Sequence, residues 1–132
     1  MQTIIYQATI QINPKTKKNS QNIYFNRAKG RRFISQNESY KAYERECAAF
    51  LHDKGIKIDF PINLQAVYYR QNRRRVDLAN LHEALLDILT KYEILADDNA
   101  KIVVSMDGSR VFYDKEHPRT EIVITRAEND DK

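Results

Sequence analysis

Apolar and polar residues alternate from the start of the chain. In TIIYQATIQIN, Ile4, Tyr6, Ala8, Ile10 and Ile12 share one face, the period-two pattern of a half-buried strand. Residues 13–37 are then polar and basic, dotted with Asn, Ser and Gly, with Tyr24, Phe25 and Phe33 interleaved. So long a stretch is seldom structureless in a small domain, which points to function or to ordering by a partner. Within it, IYFNRAKGRRFIS sets two apolar triplets around Ala-Lys-Gly, the arrangement of a short hairpin. The period then becomes helical: Tyr40, Tyr43, Cys47, Phe50 and Leu51 lie on one face. Ser35 and Glu38 have the spacing of a capping box, and Lys54-Gly55 predicts the end of this helix.

PINLQAVYYRQ, from Pro61, reads as a second strand and leads directly into RRRVDLAN, residues 73–80. Leu78, Leu81, Ala84, Leu85, Ile88 and Leu89 form the apolar stripe of a second helix that runs to about Tyr92. Asp77 stands before the first apolar residue, in the N-cap position. ILADDNA is a turn, and residues 101–105 are a strand. That strand either continues past a bulge at Gly108 into RVFY or is turned into a hairpin by Asp107-Gly108. TEIVITR is the last strand, and the acidic tail at about 127–132 is expected to fray. The order predicts an α+β fold: a small mixed β-sheet of about four strands with two main helices packed on it.

A chain of 132 residues suits one domain, spanning 1–132, with a core that needs no staples. The single cysteine, Cys47, excludes an internal disulfide, lies on an apolar helix stripe and suits a reducing cytoplasm. The N-terminus lacks the pattern of a signal peptide, and no window has the apolar length of a membrane span, so no membrane role is expected.

Charge sharpens this picture. The net charge is only +4, but residues 1–37 contain no acid and carry Lys15, Lys17, Lys18, Arg27, Lys29, Arg31 and Arg32. Arg70, Arg73, Arg74 and Arg75 follow. The sign then reverses: residues 77–99 hold six acids (Asp77, Glu83, Asp87, Glu93, Asp97, Asp98) and one base, Lys91. Basic segments attract polyanions such as nucleic acid, whereas an adjoining acidic cluster repels phosphate unless a cation lies between. The ordinary alternative is that both runs are solvated faces.

Asp77 and the pair Asp97-Asp98 flank the second helix. A straight helix of that length is roughly 22 Å long, so these carboxylates meet only if the turn folds back or the next strand returns with Asp98. Each also has a plain structural reading: Asp77 as a cap, Asp97-Asp98-Asn99 as a turn. His52, His82 and His117 have no metal-ligand spacing. His82, on the second helix, is a candidate for proton transfer or an ordinary surface histidine. Tyr24, Phe25 and Phe33 suit base stacking or local packing equally.

VDLANLHEALLDILTKYEILADDNAKI resembles the signature of the RusA family of Holliday junction resolvases. That pattern is Asp-x-Asp-Asn, a lysine, Asp-x-Leu, and an Asp-Asp pair one helix later; Asp77, Asn80, Leu81, Asp87, Leu89, Asp97 and Asp98 match it without a gap. The N-terminal strand, Pro14-Lys15, the basic loop and the aromatic-bearing helix fit as well, and residues 105–124 look like the end of phage-encoded members.

The resemblance implies a homodimeric, Mg2+-dependent endonuclease that binds four-way DNA junctions and cuts two strands symmetrically. It places the first essential aspartate on Asp77 and the last on Asp98. The second falls on Ala79 and the lysine on Glu83, and neither residue can do the work of the one it replaces. Glu83 lies four residues after Ala79, and helical side chains lean toward the N-terminus, so its longer arm reaches the space an aspartate at 79 would fill. The expected site is therefore Asp77, Glu83 and Asp98, with Asp97 assisting, around Mg2+ or Mn2+. Lys15, Lys17, Lys18, Arg27, Lys29, Arg31, Arg32, Arg73, Arg74 and Arg75 are the expected phosphate contacts, one of the last three supplying the missing lysine charge. Two alternatives accompany this reading: a junction-binding protein without catalysis, and a nuclease for another branched DNA.

Overall fold

The computed structural model describes residues 3–17, 21–26, 31–36 and 38–127. The main sheet is built from β1 (Ile4–Ile10), β4 (Ile62–Arg70), β5 (Val103–Ser105), β6 (Arg110–Tyr113) and β7 (Arg119–Arg126). Its order is β1-β7-β4-β5, with β6 also on β4. β7 is antiparallel to both β1 and β4, so the last strand in sequence is central in space. β2 (Gln21–Asn26) and β3 (Arg31–Gln36) pair antiparallel in a sheet of their own, with Ile23 opposite Ile34 and Tyr24 opposite Phe33. The hairpin expected inside the basic stretch is therefore present.

One sheet face carries the core. Registration aligns Tyr6 with Ile124 and Leu64, and Ala8 with Ile122 and Ala66. These side chains join one apolar cluster with Tyr40, Tyr43 and Cys47 of α1 (Glu38–Cys47) and with Leu81, Ala84, Leu85, Ile88 and Leu89 of α2 (Leu78–Lys91). Burial pushes the Cys47 thiol up to about 12, in keeping with a core residue. The predicted face of β1 fails only at Ile4, which is 56% exposed because the register shifts between Ile4 and Tyr6.

The sheet has five strands where about four were expected, because 101–113 forms two short segments. Both run parallel to β4 along the same edge, which rules out the hairpin and leaves one strand interrupted at Gly108. Side chains fill the interruption: Asn63 Oδ1 accepts from Ser105 Oγ and from the Asp107 amide, and Ser109 Oγ accepts from the Ala66 amide.

Two helix boundaries also differ from expectation. Ser35 does not cap α1; it lies in β3 opposite Asn22, and α1 starts at Glu38. α1 ends at Cys47 in a single 3-10 turn over Ala48–Phe50, well before Gly55, because Leu51 turns to an extended conformation to bury its side chain. Gly55 serves another turn, donating its amide to the Glu93 carbonyl.

Candidate nucleic-acid interface and carboxylate site

α2 runs back along β4, so the loop 71–77 lies at one end of the sheet and the turn 97–100 at the other. Asp77 opens α2 with extended dihedrals (φ −93°, ψ 129°), and its carbonyl accepts from the amides of Asn80 and Leu81. Its carboxylate makes no cap bond and, among the described residues, has only a long contact, 3.4 Å, from Asn80 Nδ2. Asp77 therefore stands in the N-cap position without capping, and its charge stays exposed.

After α2, the chain is tied down by bonds from Ile58 N to Ile94 O and from Ala96 N to Ile58 O. That fixes where the acidic turn begins. Asp97 behaves as a turn residue: Oδ1 accepts from the Asp98 amide at 2.7 Å and Oδ2 from Asn99 Nδ2 at 3.1 Å. Those bonds hold its carboxyl below the usual range. The Asp98 carboxyl is pushed up, first by partial burial, then by Asp97 and by the charge of Asp87. β5 begins only at Val103, so the returning strand does not carry Asp98 back to Asp77.

The fold instead brings Asp98 within electrostatic reach of Asp87. Asp87 is ion-paired with Lys17, and Asp87, Glu83 and Glu44 all act on the buried Tyr40 hydroxyl. Together these side chains make an acidic streak along α2 and α1 with Lys17 laid into it. Among the described residues, no three His, Cys, Asp or Glu side chains stand close enough to hold a metal ion. Asp77, Glu83, Asp97 and Asp98 are thus not gathered into one group in the single chain.

The basic residues are better gathered. Lys15, Arg70, Arg74 and Arg75 line a cleft of about 530 Å³ between the segments 13–16 and 70–76. Arg73 leaves the cleft and stacks its guanidinium 4.2 Å above the exposed Tyr113 ring. A larger groove of about 860 Å³ holds Arg119, but Asp114 and Glu121 each pair with it at 3.0 Å, so that cation is already satisfied. Lys18, Arg27 and Lys29 lie outside the described residues; Arg31 and Arg32 are on β3, and their side chains, with those of Tyr24, Phe25 and Phe33, lie outside them too.

Residues 11–125 match the family Endodeoxyribonuclease RusA. The chain belongs to the RusA family. RusA proteins are Holliday junction endodeoxyribonucleases, so junction resolution is the function that membership supports. No curated relative matches the chain. Nucleases of the RusA kind generally need divalent metal ions. Among the described residues, no helix is long and apolar enough to cross a membrane.

Against the RusA pattern, Ala79 and Glu83 are both exposed on the outer face of α2. Among the described residues the cations paired with the acids of the streak are Lys17, from the segment after β1, on Asp87 and Lys91 on Glu44, and none of the three consecutive arginines. His82 is a half-buried partner of the core: its Nδ1 meets the Tyr68 hydroxyl at 2.8 Å, and burial lowers its pKa. Sequence reasoning passed over Arg70 and Asp87 as site residues. Asp87 was visible as a motif match; Arg70 reads as the end of a strand, and only the cleft reveals it.

Proposed function

We propose that the protein is a homodimeric nuclease that resolves four-way DNA junctions in the cytoplasm, in a phage or prophage setting, with one RusA-like domain over 1–132. The observation that carries this is the family match over 11–125, within which the loop 70–76 that forms one wall of the basic cleft leads directly to the exposed Asp77 carboxylate.

In this reading Lys15, Lys17, Lys18, Arg27, Lys29, Arg31, Arg32, Arg73, Arg74 and Arg75 hold the DNA backbone. Among the described residues Arg73 forms no ion pair, and its plane rests on Tyr113, which leaves its N–H edge to face phosphate. Asp77, Glu83 and Asp98 act at the scissile phosphate, and with Asp97 they are the proposed ligands of Mg2+ or Mn2+. Such ions activate water and neutralise charge on the phosphate. The single chain leaves these acids apart. Two symmetric cuts require two equivalent sites, which is the physical case for a two-fold dimer.

The test is cleavage of a labelled four-way junction with Mg2+, Mn2+ or chelator, against linear duplex, for wild type, Asp98→Asn and Glu83→Ala. Paired, metal-dependent cuts lost in both variants support the reading. Tight junction binding without cutting in either metal supports the second reading, a junction-binding protein, which Ala79 and the dispersed acids favour.

A further inference from the structure

The cleft between residues 13–16 and 70–76 has features that a diffuse basic surface lacks. Its lining contains four cations and no acid. Among the described residues none of these cations forms a salt bridge. Arg70, at the end of β4, is half-buried: Nη1 donates to the Arg74 carbonyl, and Nε is buried without an acceptor. Burial pulls its pKa below the usual arginine value, and among the described residues no neighbouring carboxylate opposes that. A half-buried guanidinium with no counter-ion is costly unless an anion arrives to complete it.

The walls are also fixed in advance. Asn13 Oδ1 accepts from the Gln71 amide at 2.9 Å and cross-ties the two loops. Asn72 Oδ1 accepts from the Arg74 amide at 3.0 Å and sets the turn. Lys15 Nζ donates to Ser39 Oγ at 2.9 Å, which holds the ammonium at the rim. Pro14 and Thr16 are buried and anchor the floor. Such pre-set donors lose little entropy when an anion binds.

We infer that this cleft is a seat for the DNA sugar–phosphate backbone, in which one phosphate is held by Arg70, Arg75 and Lys15. Four cations exceed what a lone carboxylate can neutralise, whereas successive backbone phosphates bring one charge each. A volume of about 530 Å³ takes a phosphate with its flanking sugars and is too polar in its lining for an apolar ligand. Arg75 lies two residues from Asp77, so a phosphate seated here fixes the backbone register beside that carboxylate. The identity of the polyanion as DNA rests on the function proposed above; the seat itself rests on the geometry.

Two measurements separate these. The first follows amide chemical shifts of the wild-type chain during titration with inorganic phosphate. Shifts centred on residues 13–16, 39 and 70–76 are expected. The second compares junction binding across a salt series for Lys15→Gln, Arg75→Gln and, as a remote charge control, Lys54→Gln. Lys15 and Arg75 are outside the apolar core, so these variants fold even where Arg70→Gln does not.

Each of the two is expected to weaken binding by about 3- to 10-fold and to reduce the log–log salt slope by about one, with Lys54→Gln unchanged. Phosphate shifts elsewhere, or both variants binding with wild-type affinity and slope, overturn the seat even if the wild type cuts junctions. Phosphate shifts in the cleft together with weakened binding uphold it even if no junction is cut, in which case the nuclease reading fails alone.

Discussion

Adjacent carboxylates in this chain have different fates because of what their neighbours donate. Asp97 gives both oxygens to the turn, while Asp98 contributes its amide to that turn and keeps its own carboxylate outside it. Asp77 sits where a cap belongs, yet its side chain does not cap. The sequence patterns for cap and turn were therefore half right: the positions are structural, but two of the three carboxylates are not used structurally. His82 shows the same contrast. Its lowered pKa means that the unfolded chain takes up a proton first as pH falls. Its contribution to stability is therefore complete above about pH 6.5 and declines as pH drops from there toward the folded pKa. His52 has the opposite sign: bonds to Gln7 and Asp53 raise its pKa, so its contribution is present below about 6.5 and is lost as pH rises through the folded value. Denaturant melts between pH 5 and 7 check this. His82→Gln is expected to lose less stability than wild type as the pH is lowered.

At the scale of elements, α2 carries both the core stripe and a polar-side row of the exposed Ala79 and Glu83 and the half-buried Asp87, spaced four apart and stacked on one side. If Glu83 fills the place of an aspartate at 79, Glu83→Ala abolishes junction cleavage and adding Ala79→Asp restores it, at least ~10-fold above the single variant. Cleavage rates for the two proteins decide this; a double variant as inactive as the single one ends the idea. The interrupted edge strand offers a stability test. Gly108 has φ +85°, and a Cβ there would lie 2.6 Å from Gln65 Oε1. Gly108→Ala is expected to destabilise the fold by about 1–3 kcal/mol, from left-handed strain plus the contact. Gln65→Ala in that background relieves only the contact. Urea midpoints of the three proteins separate the two parts.

Over the whole molecule, charge is segregated along the chain and then partly interleaved by folding. Lys17, next to the cleft-lining Thr16, crosses from the basic segment to lie on Asp87, whereas among the described residues the cleft's own cations pair with no acid. DNA affinity should then be strongly ionic. With about six phosphates engaged, junction binding is expected to fall roughly 10³-fold between 50 and 200 mM salt. A nearly flat titration would show that the basic residues do not hold the backbone.

Periodicity and spacing alone determined the α+β class, both helices and the hairpin in the basic stretch, since these depend on neighbours within a few residues; the RusA family was reached by resemblance to a gapless motif. The strand alternation of TIIYQATIQIN and the stripe Leu81–Leu85–Ile88 needed no tertiary partner to be read. Only the tertiary structure decided that β7 is central, that 103–113 is one broken edge strand, and that Asp77 and Asp98 lie at opposite ends of α2. It also decided that Arg70 belongs with Lys15, residues that are 55 positions apart in the chain. The reason is physical: local pattern reports which face a side chain takes, whereas sites are made where loops from separate strands converge, and that convergence is set by sheet order and by the direction in which each helix returns along the sheet.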